Sequence, residues 1–148
     1  MTLKQWHANG WLKPHTTSQQ EVGNLLAVVD RDLTDAQEGE ISNDWRFAIA
    51  YNAALKLCTI LLYSEGYRPS QNLAHYRTLQ ALPIILGTQR KADADYLDAC
   101  RVKRNTVEYD FVGAATEADV LELTNFARVL QRDVLAWLRK WHPDLSPE

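Results

Sequence analysis

Apolar residues return at helical spacing in four long stretches of this chain. Nowhere do they alternate over a strand's length or flank an Asn-Gly or Asp-Gly hairpin turn. Val22, Leu25, Leu26, Val29, Leu33 and Ala36 mark the inner face of a first long helix, with Asn24, Asp30, Arg31 and Asp35 outward. Ser18 and Glu21, three apart, form its capping box, and Gly39 with its polar neighbours closes it. A second helix, capped by Asn43 or Asp44, runs to Glu65 and stops at Gly66. It is apolar almost all round, so it belongs among other helices. Its narrow polar seam, Asn52, Lys56, Thr59 and Tyr63, is either a solvent edge or part of a subunit contact. A shorter helix covers Asn72 to about Leu82 and is broken or kinked at Pro83, with His75 pointing inward beside Leu79, Leu82 and Leu86. A fourth long pattern runs from about Arg90 past Tyr109 to Gly113. The last, capped by Thr116 and Asp119, carries Val120, Leu123, Phe126, Ala127, Leu130, Val134, Trp137 and Leu138 and ends near Trp141 and Pro143. The pattern predicts an all-α fold, an antiparallel bundle of four long helices plus a short one.

Ahead of the bundle, residues 1–16 read as a strap: one or two helical turns over Leu3 to Asn9, a stop at Gly10, then an extended run through Trp11, Leu12 and Pro14. Trp6 and Trp11 either dock on the core and tie down the terminus or form a binding lip. At 148 residues the default is a single domain, 1–148, long enough to bury a core without metal or disulfide. A net charge of -3 excludes a protein that coats nucleic acid through bulk electrostatics, but leaves room for a local anion site. Cys58 and Cys100 both fall on apolar stripes, so buried reduced thiols are expected rather than a disulfide. No cysteine-histidine spacing suits a metal, and no cofactor is expected. The first residues lack the apolar run of a signal peptide, and the longest apolar block, Leu57 to Tyr63, is too short to span a bilayer. The expectation is a cytoplasmic protein without membrane contact.

Pattern and chemistry disagree in one stretch, Asp93 to Phe111. Tyr96, Cys100, Val107 and Phe111 make an apolar stripe, and Arg104 falls in its middle. A guanidinium there must find a carboxylate, carbonyls, water in a cleft or a ligand anion. Asp30, Asp95 and Glu108 are the candidate carboxylates. A second face carries Arg101, Asn105 and Tyr109, and Arg101, Lys103 and Arg104, backed by Arg90 and Lys91, form the most basic patch of the chain.

The second helix DWRFAIAYNAALKL, the His75 helix followed by ALPIILG, and the RVKRNTVEYDF stretch together resemble the HEPN superfamily of small helical-bundle domains over most of the chain. The likeness is nearest to a bacterial branch in which the expected histidine is replaced. Ribonuclease members of the family carry arginine, four other residues, then histidine, with a polar residue after the arginine. Arg104 and Asn105 match, but Tyr109 stands where the histidine would be. Phe111 occupies the position where one toxin-antitoxin subgroup has a tyrosine that a partner nucleotidyltransferase modifies. The resemblance implies a homodimer with a cleft between paired domains. It also implies a module that contacts nucleotide, RNA or a nucleotidyltransferase through Arg101, Arg104, Asn105, Tyr109 and His75. Tyrosine, titrating near about 10, is a poor proton carrier at neutral pH, so binding outlasts turnover in this reading. The alternatives are a metal-independent endoribonuclease, in which Arg104 stabilises phosphate and Tyr109 or His75 replaces the histidine, and a helical dimer with no ligand.

Overall fold

The computed structural model describes residues 1–107 and 112–147, and it is mostly helical. In order, the elements are α1 (Leu3–Ala8), β1 (Leu12–Pro14), α2 (Gln19–Asp35), α3 (Asn43–Ser64), β2 (Tyr67–Pro69), α4 (Ala74–Gln80), α5 (Leu82–Leu86), a single 3-10 turn at Thr88–Arg90, α6 (Lys91–Asn105) and α7 (Glu117–Trp141). Tyr109, Phe111 and Glu108 lie outside the described residues.

The core is organised round α3. Its Phe47, Tyr51, Leu57, Ile60 and Leu61 are buried, and α2, α6 and α7 pack against it. The inner faces of α2 and α7 are the stripes read from sequence, whereas α6 buries Ala94 and Leu97 with Cys100 and leaves Tyr96 only partly covered. Alanines at 50, 53 and 54 are fully buried, so the neighbouring helices come close to the α3 backbone. Taken over Asn43–Ser64, α3 is long and apolar enough to cross a bilayer, with a mean hydropathy of 1.4, although no single apolar block is. Here 72% of that window is buried by the protein itself.

Helix ends follow local chemistry. Ser18 accepts from the Glu21 N–H, as the pattern predicts. The Glu21 carboxylate does not close the box, because His15 Nε2 at 2.7 Å and the Thr17 hydroxyl at 2.7 Å hold it instead. Thr116 and Asp119 form the full reciprocal box. The cap of α3 is Ser42 rather than Asn43 or Asp44. Asp44 is thereby released to accept from the Gly113 and Ala115 N–H groups at 2.7 and 3.1 Å, which pins the start of α7 beside the start of α3. Arg46 is buried and donates from Nε to the Ala36 carbonyl at 2.8 Å, satisfying an acceptor that the end of α2 leaves over.

Four expectations need correction. First, the strap does not simply extend: Leu12–Pro14 pairs antiparallel with Tyr67–Pro69, so a short two-stranded ribbon exists where no strand was expected. Three residues a side are too few for an alternating pattern to register. Trp6 and Leu12 pack on Leu62 and Ala81, which anchors the terminus as one of the two expectations for the tryptophans required. Second, the helix expected over Asn72 to Leu82 starts at Ala74, after Leu73 in a left-handed conformation (φ 58°), and continues past Pro83 as α5. Pro83 sits in the first turn of α5, where its missing N–H costs nothing. Third, α6 ends as an α-helix at Asn105, with π-helical geometry at Thr106 and Val107. Fourth, the α3 seam stays partly exposed along its length, but two of its residues have partners within the chain. Asn52 bonds Asp32 on α2, and the Tyr63 ring lies 4.1 Å from the His15 ring of the strap.

Candidate anion-binding site

Two cross-links set the rotation of α6. Arg90 reaches Asp133 on α7 as well as Asp93 on its own first turn. Near the other end of Lys91–Asn105, Lys103 Nζ donates to Asp119 Oδ2 at 2.6 Å. With α6 held against α7 on that side, Arg101 and Arg104 turn toward α3 and α4.

Arg104 is half-buried, its guanidinium carbon 5.9 Å from the Tyr51 ring centroid. Its Nη1 donates to the Asn105 side-chain oxygen at 3.4 Å, a long contact, and Asn105 itself is exposed. Of the carboxylates considered for Arg104, Asp30 accepts from Gln131 and Asp95 pairs with Lys91, so neither serves it. Glu108 lies outside the described residues. Arg101 donates from Nε to Asp98 at 2.8 Å and lies 5.7 Å from the Tyr76 ring on α4.

His75 is the clearest departure from expectation, because it is exposed rather than turned into the core. It occupies the first turn of α4, so the stripe that continues through Leu79 and Leu82 begins beyond the surface its neighbours cover. The fold nonetheless brings it to the predicted arginines. Partial desolvation, then the positive charges of Arg104, Lys56 and Arg101, hold its pKa below the usual histidine value. Lys56 was read only as part of the α3 seam, and its approach to His75 depends on α4 crossing α3, which no local pattern reveals.

Tyr51 lies beneath the arginines and is 1% exposed. Its hydroxyl has no hydrogen-bond partner among the described residues. Burial drives the phenol's pKa far up while Arg101 and Arg104 oppose the rise, so a neutral hydroxyl faces the two guanidinium groups. A polar atom left unsatisfied in a core is uncommon. Its sequence signal was weak, a phenol on an otherwise apolar face.

Lys56 on α3 and Arg101 and Arg104 on α6 thus lie near enough to His75 on α4 for their charges to act on it, and Asp98 pairs with Arg101. Such a cluster can hold an oxyanion and can protonate or deprotonate a group bound to it through His75. No trio of histidine, cysteine or acidic side chains suited to a metal occurs among the described residues. A separate groove of about 560 Å³ between α6 and α7, lined by Tyr96, Phe126, Glu122 and the Arg90 network, contains none of these residues. No family model, curated protein or solved structure matches the chain.

Proposed function

We propose that this protein is a HEPN-like binding or regulatory module whose four long helices form an up-and-down bundle. It holds a phosphate-bearing ligand, a nucleotide or RNA, at Lys56, His75, Arg101 and Arg104, with Asn105 on the exposed rim. The observation that carries this is that the positive charges of Arg104, Lys56 and Arg101 all act on the exposed His75 in a chain of net charge -3. Homodimerisation belongs to the same proposal. Trp45 is 62% exposed and Val112 is 90% exposed, and they adjoin Asp44 and Gly113, which are bonded to each other. They form an apolar spot close in sequence to the Arg104 segment, fit for a second copy or for a nucleotidyltransferase partner, in the cytoplasm.

One observation favours an endoribonuclease as the second reading. Desolvation and then the charges of Arg104, Lys56 and Arg101 lower the His75 pKa, which favours the base form that accepts a 2′-hydroxyl proton while the guanidinium stabilises phosphate. The experiment is direct: incubate single-stranded RNA with the protein and with Arg104→Ala, then measure cleavage and binding. Binding without cleavage, weakened by Arg104→Ala, is the expected result. Cleavage lost in both Arg104→Ala and His75→Gln would establish the enzyme. Negligible binding by the unaltered protein would leave a helical dimer with no ligand.

A further inference from the structure

One face of α4 is not used by that cluster. Opposite His75, Arg77 sits over the strap, its guanidinium carbon 3.6 Å from the Trp11 ring centroid and 5.9 Å from that of Trp6. The two indoles meet edge to face at 5.8 Å. Arg77 Nε is buried and makes no hydrogen bond, and no carboxylate pairs with this guanidinium among the described residues. Trp6, Trp11, Tyr76, Arg77, Gln80 and Ile84 line a cavity of about 320 Å³. That volume is at the small end for a ligand pocket and suits one planar ring system with its sugar rather than a larger molecule.

The chemistry of the wall narrows the occupant. Packed over the Trp11 ring, the guanidinium makes no hydrogen bond among the described residues and has donors to offer an acceptor in the cavity, while Gln80 offers both a donor and an acceptor. The indole and phenol rings provide π faces. Two adjacent acceptors on the edge of a flat heterocycle meet an arginine fork as guanine O6 and N7 do. Tyr76 joins this cavity to the anion cluster, since its ring also faces Arg101 at 5.7 Å. Adjacent residues of one helix, His75 toward the phosphate side and Tyr76 with Arg77 toward the cavity, would therefore read one nucleotide.

We propose that the Trp11, Tyr76, Arg77 and Gln80 cavity is a base-binding subsite for an unpaired guanine of single-stranded RNA. It rests on the anion-site reading for the phosphate, but not for the base. Base stacking on aromatic side chains supplies affinity without sequence preference, and the arginine fork supplies the preference for guanine.

The test uses two labelled RNA hexamers, UUUGUU and UUUUUU, titrated by fluorescence anisotropy against the full chain. The protein as it stands should bind UUUGUU about tenfold more tightly, as one bidentate arginine contact provides. Arg77→Lys keeps the charge and the stem but loses the fork, so it should abolish the preference by weakening UUUGUU far more than UUUUUU. Arg104→Ala should weaken both hexamers equally. Equal binding of the two hexamers, or a preference that survives Arg77→Lys, overturns the base site and leaves the anion site standing. If neither hexamer binds, the anion site fails, and titration with guanosine followed by tryptophan quenching decides the subsite alone. Quenching that Arg77→Lys removes supports it, and no quenching overturns it.

Discussion

Asn52 donates to Asp32 Oδ2 at 2.6 Å, and so joins the seam of α3 to a carboxylate on α2 that is only 4% exposed. Arg31, itself exposed, holds the other oxygen at 3.0 Å. A buried carboxylate is tolerated only when its oxygens are bonded, so removing the amide is costly out of proportion to one contact. Asn52→Ala is expected to destabilise the fold by about 1 to 3 kcal/mol. Urea unfolding should show a lower midpoint at unchanged slope. No change in midpoint would mean that water replaces the amide.

The histidine at the site sets a pH dependence. His75 has a lower pKa in the fold than the usual 6.5, so the unfolded chain takes up its proton first as pH falls. Its contribution to stability is complete above about 6.5 and is lost as pH drops from there through the folded value. A bound anion favours the imidazolium, so affinity for oligonucleotide phosphate should rise several-fold between about pH 8 and about pH 5.5. In His75→Gln the affinity should be flat over that range. A slope that persists in the variant would assign it to another group.

Asp119 carries the opposite end of the pH scale. Its hydrogen bond from Lys103, followed by the Thr116 N–H, lowers its pKa from the ordinary 3.8. A depressed carboxylate stabilises the fold above its unfolded pKa and loses that contribution as pH falls through the folded value. Asp119→Asn should therefore cost about 1 kcal/mol at neutral pH, the size of a helix cap with a partly exposed ion pair. Near pH 2 the two proteins should melt alike. A constant gap across the acid range would show that the loss is one of packing.

Both cysteines are free and buried, and burial pushes Cys58 up to about 12 and Cys100 up to about 11. The thiolate is the reactive form, so neither should react with iodoacetamide in the folded protein at neutral pH. Mass spectrometry should find both alkylated in denaturant. Rapid native labelling of either one would require that α3 or α6 opens locally.

Association of two copies is checked at Trp45 and Val112. Sedimentation of Trp45→Ser with Val112→Ser is expected to show a weaker dimer, while thermal unfolding at low concentration stays within about 0.5 kcal/mol, as for exposed positions generally. A dimer of undiminished affinity would move the contact elsewhere.

The local patterns of this chain were sufficient for its long helices, because a stripe, a Ser or Thr cap and a glycine stop all act within a few residues of chain. Thr116 with Asp119 and the inner faces of α2 and α7 were legible for that reason. Arg104 was legible as an oddity because a charge interrupts an apolar stripe whatever lies opposite. What lies opposite was decided by tertiary packing. Asp32 looks like any other helix acid until α3 presents Asn52 to it. Tyr67–Pro69 becomes a strand only because β1 supplies its partner. His75 meets Lys56, Arg101 and Arg104, and Arg77 meets Trp11, through contacts between helices and strap that no spacing along one element encodes. Periodicity specifies which side of a helix is covered, whereas the neighbour that covers it, and the chemistry thereby assembled, depends on how the whole chain packs.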